Sequence, residues 1–248
     1  MDGTAQFRIR RCDLLKMSLP IKYRLICEGP SEWTYLQRLA AFIVDKLPPM
    51  EDGFTPRLLF FPTITNDKIG GGSFKLVQRT YRKVCPQNRK LPLRIWVDCD
   101  IYIRNSNASE RANATGYAQK KTMPDFNFMV MNFEDFVAMH FPDEVFEAWK
   151  IEMQNAGHFA APLHSIDYEP LFEKIWQRYL QVGGQSGTGS YKKGSLPEDF
   201  VTEASIKNMM RHCQDLILSP LFAKHAPAGA FPLFLVRELQ NAYPEVFR

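Results

Sequence analysis

Apolar residues recur along this chain with two alternating periods. Lys22 to Cys27 (KYRLIC), Leu58 to Ile64 and Leu93 to Val97 (LRIWV) are short, nearly continuous apolar runs. Each reads as a strand buried on both faces. Between the first two, Trp33, Leu36, Leu39 or Ala40, Ile43 and Leu47 recur at helical spacing. Ser31 is the expected N-cap, Glu32 falls in the first turn, and Pro48-Pro49 ends the helix. Phe74, Val77, Tyr81 and Val84 mark a second helix over 73–84. This β-α-β-α-β rhythm predicts a mostly parallel sheet with helical crossovers. A short strand is expected near Phe128 to Met131, and then helices over 134–141, 143–156, 168–181, 198–218 and 233–241. The expected fold class is therefore α/β, a mostly parallel sheet with flanking helices, followed by a largely helical C-terminal half. The expected organisation is an extension over 1–20, an α/β core over 21–131, and a helical region over 132–248 packed on that core. Residues 183–197 (GGQSGTGSYKKGSLP) read as a mobile loop that a ligand or partner would order.

Composition narrows the class. With 248 residues, 45% hydrophobic, 13% aromatic and 23% charged, the chain can bury a sizeable core and is neither a disordered tail nor a fibre. The five cysteines, at 12, 27, 85, 99 and 213, show no CxxC spacing, which argues against a structural zinc site or a thioredoxin motif. No apolar run approaches the roughly 20 residues that span a bilayer, and the first residues lack the apolar core of a secretory signal. A reduced, cytoplasmic protein without a membrane partner is expected.

The formal charge of +4 is uninformative until it is mapped. Residues 70–94 hold seven Lys/Arg (Lys75, Arg79, Arg82, Lys83, Arg89, Lys90 and Arg94) and no acid. Residues 134–174 hold nine acids against Lys150 and Lys174, a local charge of −7. A solvated helix face explains either run alone. Beside the Gly70-Gly71-Gly72-Ser73 turn, however, the basic stretch is a candidate phosphate-binding face, with Lys75, Arg79, Arg82 and Lys83 as its candidate residues.

The sharpest chemical features are acidic. Glu28 follows the first strand, and Asp98 and Asp100 follow the third. Ligands of open parallel sheets bind outside the carboxyl ends of the strands, and side chains two apart in an extended segment share a side. Three carboxylates brought together there repel one another unless a divalent cation with oxygen ligands, most commonly Mg2+ with Mn2+ as the alternative, lies between them. Such a site suits metal-assisted phosphoryl transfer. Glu28 is open to two roles, ligand or general base. Other chemistries fail on inspection: Gly184 to Gly189 has P-loop glycine spacing, but Ser190 stands where the lysine must be. No HExxH or GxSxG occurs. Cys27 and Cys99, in strands beside negative charge, read as core residues rather than nucleophiles.

Ile26-Cys27-Glu28-Gly29-Pro30-Ser31-Glu32-Trp33-Thr34-Tyr35-Leu36, followed by Val97-Asp98-Cys99-Asp100, resembles the Toprim domain, and in particular the RloB-like group of Toprim effectors of prokaryotic antiphage systems. Phe133 to Phe141 (FEDFVAMHF) is similar to a helix of that group, and Tyr191-Lys192-Lys193 to its Y-x-K segment. The sequence departs from the group in lacking a proline before Phe133, and residues 1–20 and 106–123 have no counterpart. The resemblance implies a Toprim-like core and a magnesium-dependent nuclease in which Glu28, Asp98 and Asp100 bind metal and carry acid-base chemistry. It implies a supporting shell of Glu32, Glu134, His140 and Lys193, with Lys192 and Lys193 contacting a nucleic-acid backbone. Ordinary structural roles compete for three of these: a helix cap for Glu134, a hydrogen-bonded core position for His140, a solvated charge for Lys193. The implied partners are a tRNA or DNA substrate, an ABC- or AAA-type ATPase that controls the effector, and a second copy in a homodimer. Two further readings stand beside this one. One is a catalytically silent scaffold docked to an ATPase through the acidic 134–174 segment. The other is a primase, topoisomerase or maturase, which needs domains that this length does not supply.

Overall fold

The computed structural model describes residues 23–46, 60–64, 74–86, 91–98, 126–128, 132–160, 163–183, 189–192, 194–217, 231–244 and 247. Four strands, β1 (Tyr23–Cys27), β2 (Phe60–Ile64), β3 (Leu93–Val97) and β4 (Phe126–Phe128), form one sheet in the order β2-β1-β3-β4. All three pairings are parallel, with Cys27 level with Ile64 on one side and with Trp96 on the other. Leu25, Ile26 and Cys27 are fully buried, as a central strand covered on both faces requires.

Helix α1 (Pro30–Lys46) connects β1 to β2, and α2 (Phe74–Val84) lies between β2 and β3. Sequence reasoning places the start of α1 after a Ser31 cap. The helix instead begins at Pro30, whose fixed φ and missing N–H suit the first helical position, and Ser31 is buried within the first turn. The last turn of α2 is closed by Arg24, whose guanidinium donates to the carbonyls of Val84 (2.7 Å), Cys85 (3.4 Å) and Leu91 (2.9 Å). A cation on otherwise unpaired C-terminal carbonyls complements the helix dipole and fixes α2 against β1.

The second half is helical: α3 (Phe133–Ala138), α4 (Asp143–Asn155), α5 (Ser165–Val182), α6 (Glu203–Ile217) and α7 (Phe231–Ala242). The expected short strand begins at Phe126, two residues earlier than its apolar run suggests, while residues 129–131 lie outside the described residues; the helix expected from 198 begins at Glu203. Helix α3 is buried on every side, so its polar groups are satisfied internally. Asn132 caps it, accepting from the Asp135 N–H while the Asp135 carboxylate accepts from the Asn132 N–H, a reciprocal capping box. The same Asp135 carboxylate accepts from Tyr168 Oη (2.6 Å) and faces His158 Nε2 (3.1 Å). His158 Nδ1 accepts from the Leu163 N–H at 3.1 Å, so Nε2 is the protonated nitrogen that donates to Asp135. This buried network ties α3 to α5 and to the turn after α4.

One hydrophobic cluster joins the two halves. Tyr35 of α1 meets Trp96 of β3 (6.0 Å between centroids), Phe136 of α3 (4.7 Å) and His140 (5.2 Å), all edge to face. The helical half therefore packs on the α1 side of the sheet. Among the described residues, no helix is long and apolar enough to cross a membrane. Cys27, Cys85 and Cys213 are free thiols.

Candidate metal centre

The strand order determines where a ligand can sit. From the carboxyl end of β1 the chain leaves towards β2, and from that of β3 it leaves towards β4 on the opposite side. The crevice at a parallel sheet's carboxyl edge opens where neighbouring strands diverge in this way, here between β1 and β3. Glu28 is the first residue after β1 and Asp98 the first after β3. The β1–β3 register brings Glu28 level with Val97, one residue before Asp98, and the Asp98 N–H donates to Glu28 Oε2 at 3.2 Å.

A third carboxylate comes from α1. The tight Glu28-Gly29 turn into the helix brings Glu32 back over the strand end, where its Oε2 accepts from the Gly29 N–H at 3.1 Å. One carboxylate oxygen from each of Glu28, Glu32 and Asp98 lies within 4.8 Å of the others. That spacing is within reach of a divalent cation with oxygen ligands at about 2.0–2.6 Å, directly or with small side-chain adjustment. The cluster can coordinate a metal ion.

The electrostatics show what such a cluster costs when uncompensated. Glu32 is 3% exposed. Burial first, then the Glu28 carboxylate, with Glu134 adding to them, push its carboxyl up to about 8. A buried acid held near neutrality by its neighbours is characteristic of functional clefts. Cys27, beneath the cluster, is fully buried, and burial together with Glu32 pushes its thiol well above 9, in keeping with a core role.

No family model, curated protein or solved structure matches this chain. The site stands on its own geometry.

Of the residues singled out in the sequence, Glu28 and Asp98 meet as expected. Asp100 and Cys99 lie outside the described residues, as do Lys193 and the side chain of Lys75. Glu32, expected in a supporting role, is instead a member of the carboxylate cluster. Glu134 does not cap its helix, since Asn132 does. It is 3% exposed and close enough to Glu32 to raise that carboxyl, with Tyr191 Oη donating to its Oε1 at 3.5 Å. His140 is a core residue, 1% exposed, among the rings of Tyr35, Phe136 (5.3 Å) and Phe200 (5.1 Å). Neither ring nitrogen makes a hydrogen bond of full geometry to the protein. The Ser205 backbone approaches without reaching hydrogen-bond geometry, and burial lowers the imidazole to about 3.

The loop expected to be mobile is pinned wherever it is described. Gln177 donates to the Gly189 carbonyl (3.2 Å), the Tyr191 N–H to Glu173 (2.8 Å), Thr34 Oγ1 to the Gly194 carbonyl (2.9 Å), and Arg38 to the Leu196 carbonyl (3.3 Å). Gly194 has φ +82°, a conformation that side-chain-bearing residues rarely adopt, and it turns the strap against Pro30 and Ser31. Lys192 on this strap is exposed.

Arg79, Arg82 and Lys83 are exposed on α2. Arg24 holds the last turn of that helix, and Arg24 is four residues before Glu28 on β1. The Arg82–Lys83 end of the basic face therefore lies towards the opposite edge of the sheet, about 13 Å from the acidic cluster along the strand. The acidic run is also less of a surface than its sequence suggests, since Glu134 and Asp135 are interior.

Proposed function

We propose that the chain is a metal-dependent nuclease cleaving phosphodiester bonds of RNA such as tRNA, or of DNA, as the effector of a prokaryotic antiphage system under the control of a partner ATPase. The observation that carries the catalytic part is the convergence of Glu28, Glu32 and Asp98 at the divergence point of a parallel sheet. The Toprim-like motif around Glu28 and Asp98 supports the assignment to phosphodiester chemistry and to the defence setting.

Glu28, Glu32 and Asp98 would hold the cation, Mg2+ or Mn2+, which supplies Lewis-acid stabilisation of the phosphoryl oxygens and a more acidic water. The chain's own residues supply the rest. The Asp98 N–H holds the Glu28 carboxylate in place, and the Gly29 N–H holds that of Glu32. In the metal-free protein Glu32, with its raised pKa, keeps a proton that cation binding would displace. The basic face of α2 would engage phosphates away from the scissile one. The two places are at least about 13 Å apart, four or more steps along one strand of a duplex at about 3.4 Å each, so a substrate engaging both would span several nucleotides.

The test is cleavage of tRNA and of plasmid DNA by purified protein, alone and with any ATPase encoded beside it, in Mg2+, in Mn2+ and in EDTA. Cation-dependent cleavage that disappears in Glu28→Ala and Asp98→Ala, with folding intact, is expected. Cleavage persisting at wild-type rate in either variant contradicts the proposal.

A further inference from the structure

Tyr191 reaches the acidic cluster from the helical half of the molecule. Its ring sits edge-on to Phe172 (4.9 Å) and Trp176 (5.2 Å) of α5, and its main-chain N–H is held by Glu173. The strap on either side is tied down at Gly189 and Gly194. Ring and backbone being fixed, the phenol oxygen is delivered to one place, 3.5 Å from Glu134 Oε1. Burial, then Glu134, with Asp98 and Glu32 adding to them, raises the phenol well above its usual 10. The group therefore keeps its proton, a neutral donor facing a site built of acceptors.

Glu134 is 3% exposed, so its carboxylate depends on donors within the protein for its orientation, and the Tyr191 O–H is one of them. We propose that Tyr191 is a positioning residue of the acidic site: its O–H orients the Glu134 carboxylate, whose charge already acts on Glu32 and would add to the field that holds a cation at Glu28, Glu32 and Asp98. This inference rests on the metal-centre reading above. A separation of 3.5 Å is the long end of a hydrogen bond, as expected before a ligand draws the groups together.

Tyr191→Phe removes the hydroxyl and keeps the ring. On the full chain, calorimetric titration with Mn2+ alone should show the dissociation constant rising about three- to tenfold, the worth of one long hydrogen bond. On a nucleic-acid substrate kcat should fall by a similar factor with KM unchanged, and the melting temperature should stay at the wild-type value. In a Glu134→Gln background, Tyr191→Phe should have no further effect. The proposal is overturned if Tyr191→Phe binds Mn2+ and turns over as wild type while Tyr191→Ala melts earlier, which makes Tyr191 a packing residue only. It is equally overturned if the Tyr191→Phe effect persists undiminished beside Glu134→Gln. Mn2+ affinity left intact by both Glu28→Gln and Asp98→Asn contradicts the metal centre itself and removes this inference with it; those two variants show that failure independently of Tyr191.

Discussion

Glu32 is where the strain of the site concentrates. Its carboxyl titrates near 4.5 when solvated and at about 8 in the folded protein. The folded state therefore holds a proton that the unfolded state has released, and the stability this gives is complete below pH 4.5 and lost as pH rises through 8. Denaturation of metal-free protein between pH 5 and 8 should show stability falling on the order of a few kcal/mol. Glu32→Gln should flatten that slope, and added Mg2+ should restore the wild type at pH 8 but not the variant. His140 gives the opposite limb. Its imidazole falls from 6.5 to about 3 on folding, so its stabilisation is present above 6.5 and lost as pH falls towards 3. Both ring nitrogens are buried without partners, so His140→Leu should flatten the acid limb and cost less than about 1 kcal/mol at pH 7.5. A loss of several kcal/mol at pH 7.5 would show that the ring makes a polar contact after all. Neither residue's state could be read from the chain. Period and spacing place Glu32 in a first turn and His140 at a helix end, but burial of a single polar side chain is decided by what the distant Tyr191 strap and Phe200 cover.

At the level of elements, the local signals were strong where one period held. β3 spans Leu93 to Val97 as its apolar run dictates, and the pairing of Glu28 with Asp98 follows from two parallel strands ending in acids. Register and strand order were not legible, and these are what put the divergence point between β1 and β3. The buried Asp135–His158–Tyr168 network was also invisible, because its members are joined only by helix packing. Two outcomes test the elements. Arg24→Met leaves the last carbonyls of α2 uncapped beside the sheet and should destabilise the protein by about 1.5–3 kcal/mol in urea titration. Reversing Arg79, Arg82 and Lys83 to Glu should weaken nucleic-acid binding and make the dependence of log K on log salt shallower by about one unit for each phosphate no longer neutralised. An unchanged salt slope would remove α2 from the substrate path.

On the scale of the whole molecule, a small parallel sheet supplies Glu28 and Asp98, α1 supplies Glu32, and the helical half supplies Glu134 and the Tyr191 strap. The core is continuous between these parts through Tyr35, Trp96 and Phe136, so the acidic cluster is held by two packed layers rather than by loops alone. The +4 net charge hides this arrangement: cations gather on α2, and two of the nine acids in the compensating stretch are drawn inward, with Glu134 at the cluster. All of it serves one claim, that Glu28, Glu32 and Asp98 form a divalent-cation site. Mn2+ titration of the wild type against Glu28→Ala and Asp98→Ala by calorimetry tests it most directly. Saturable binding by the wild type that either substitution abolishes or weakens at least tenfold is the expected result; no binding, or equal binding in all three proteins, contradicts it.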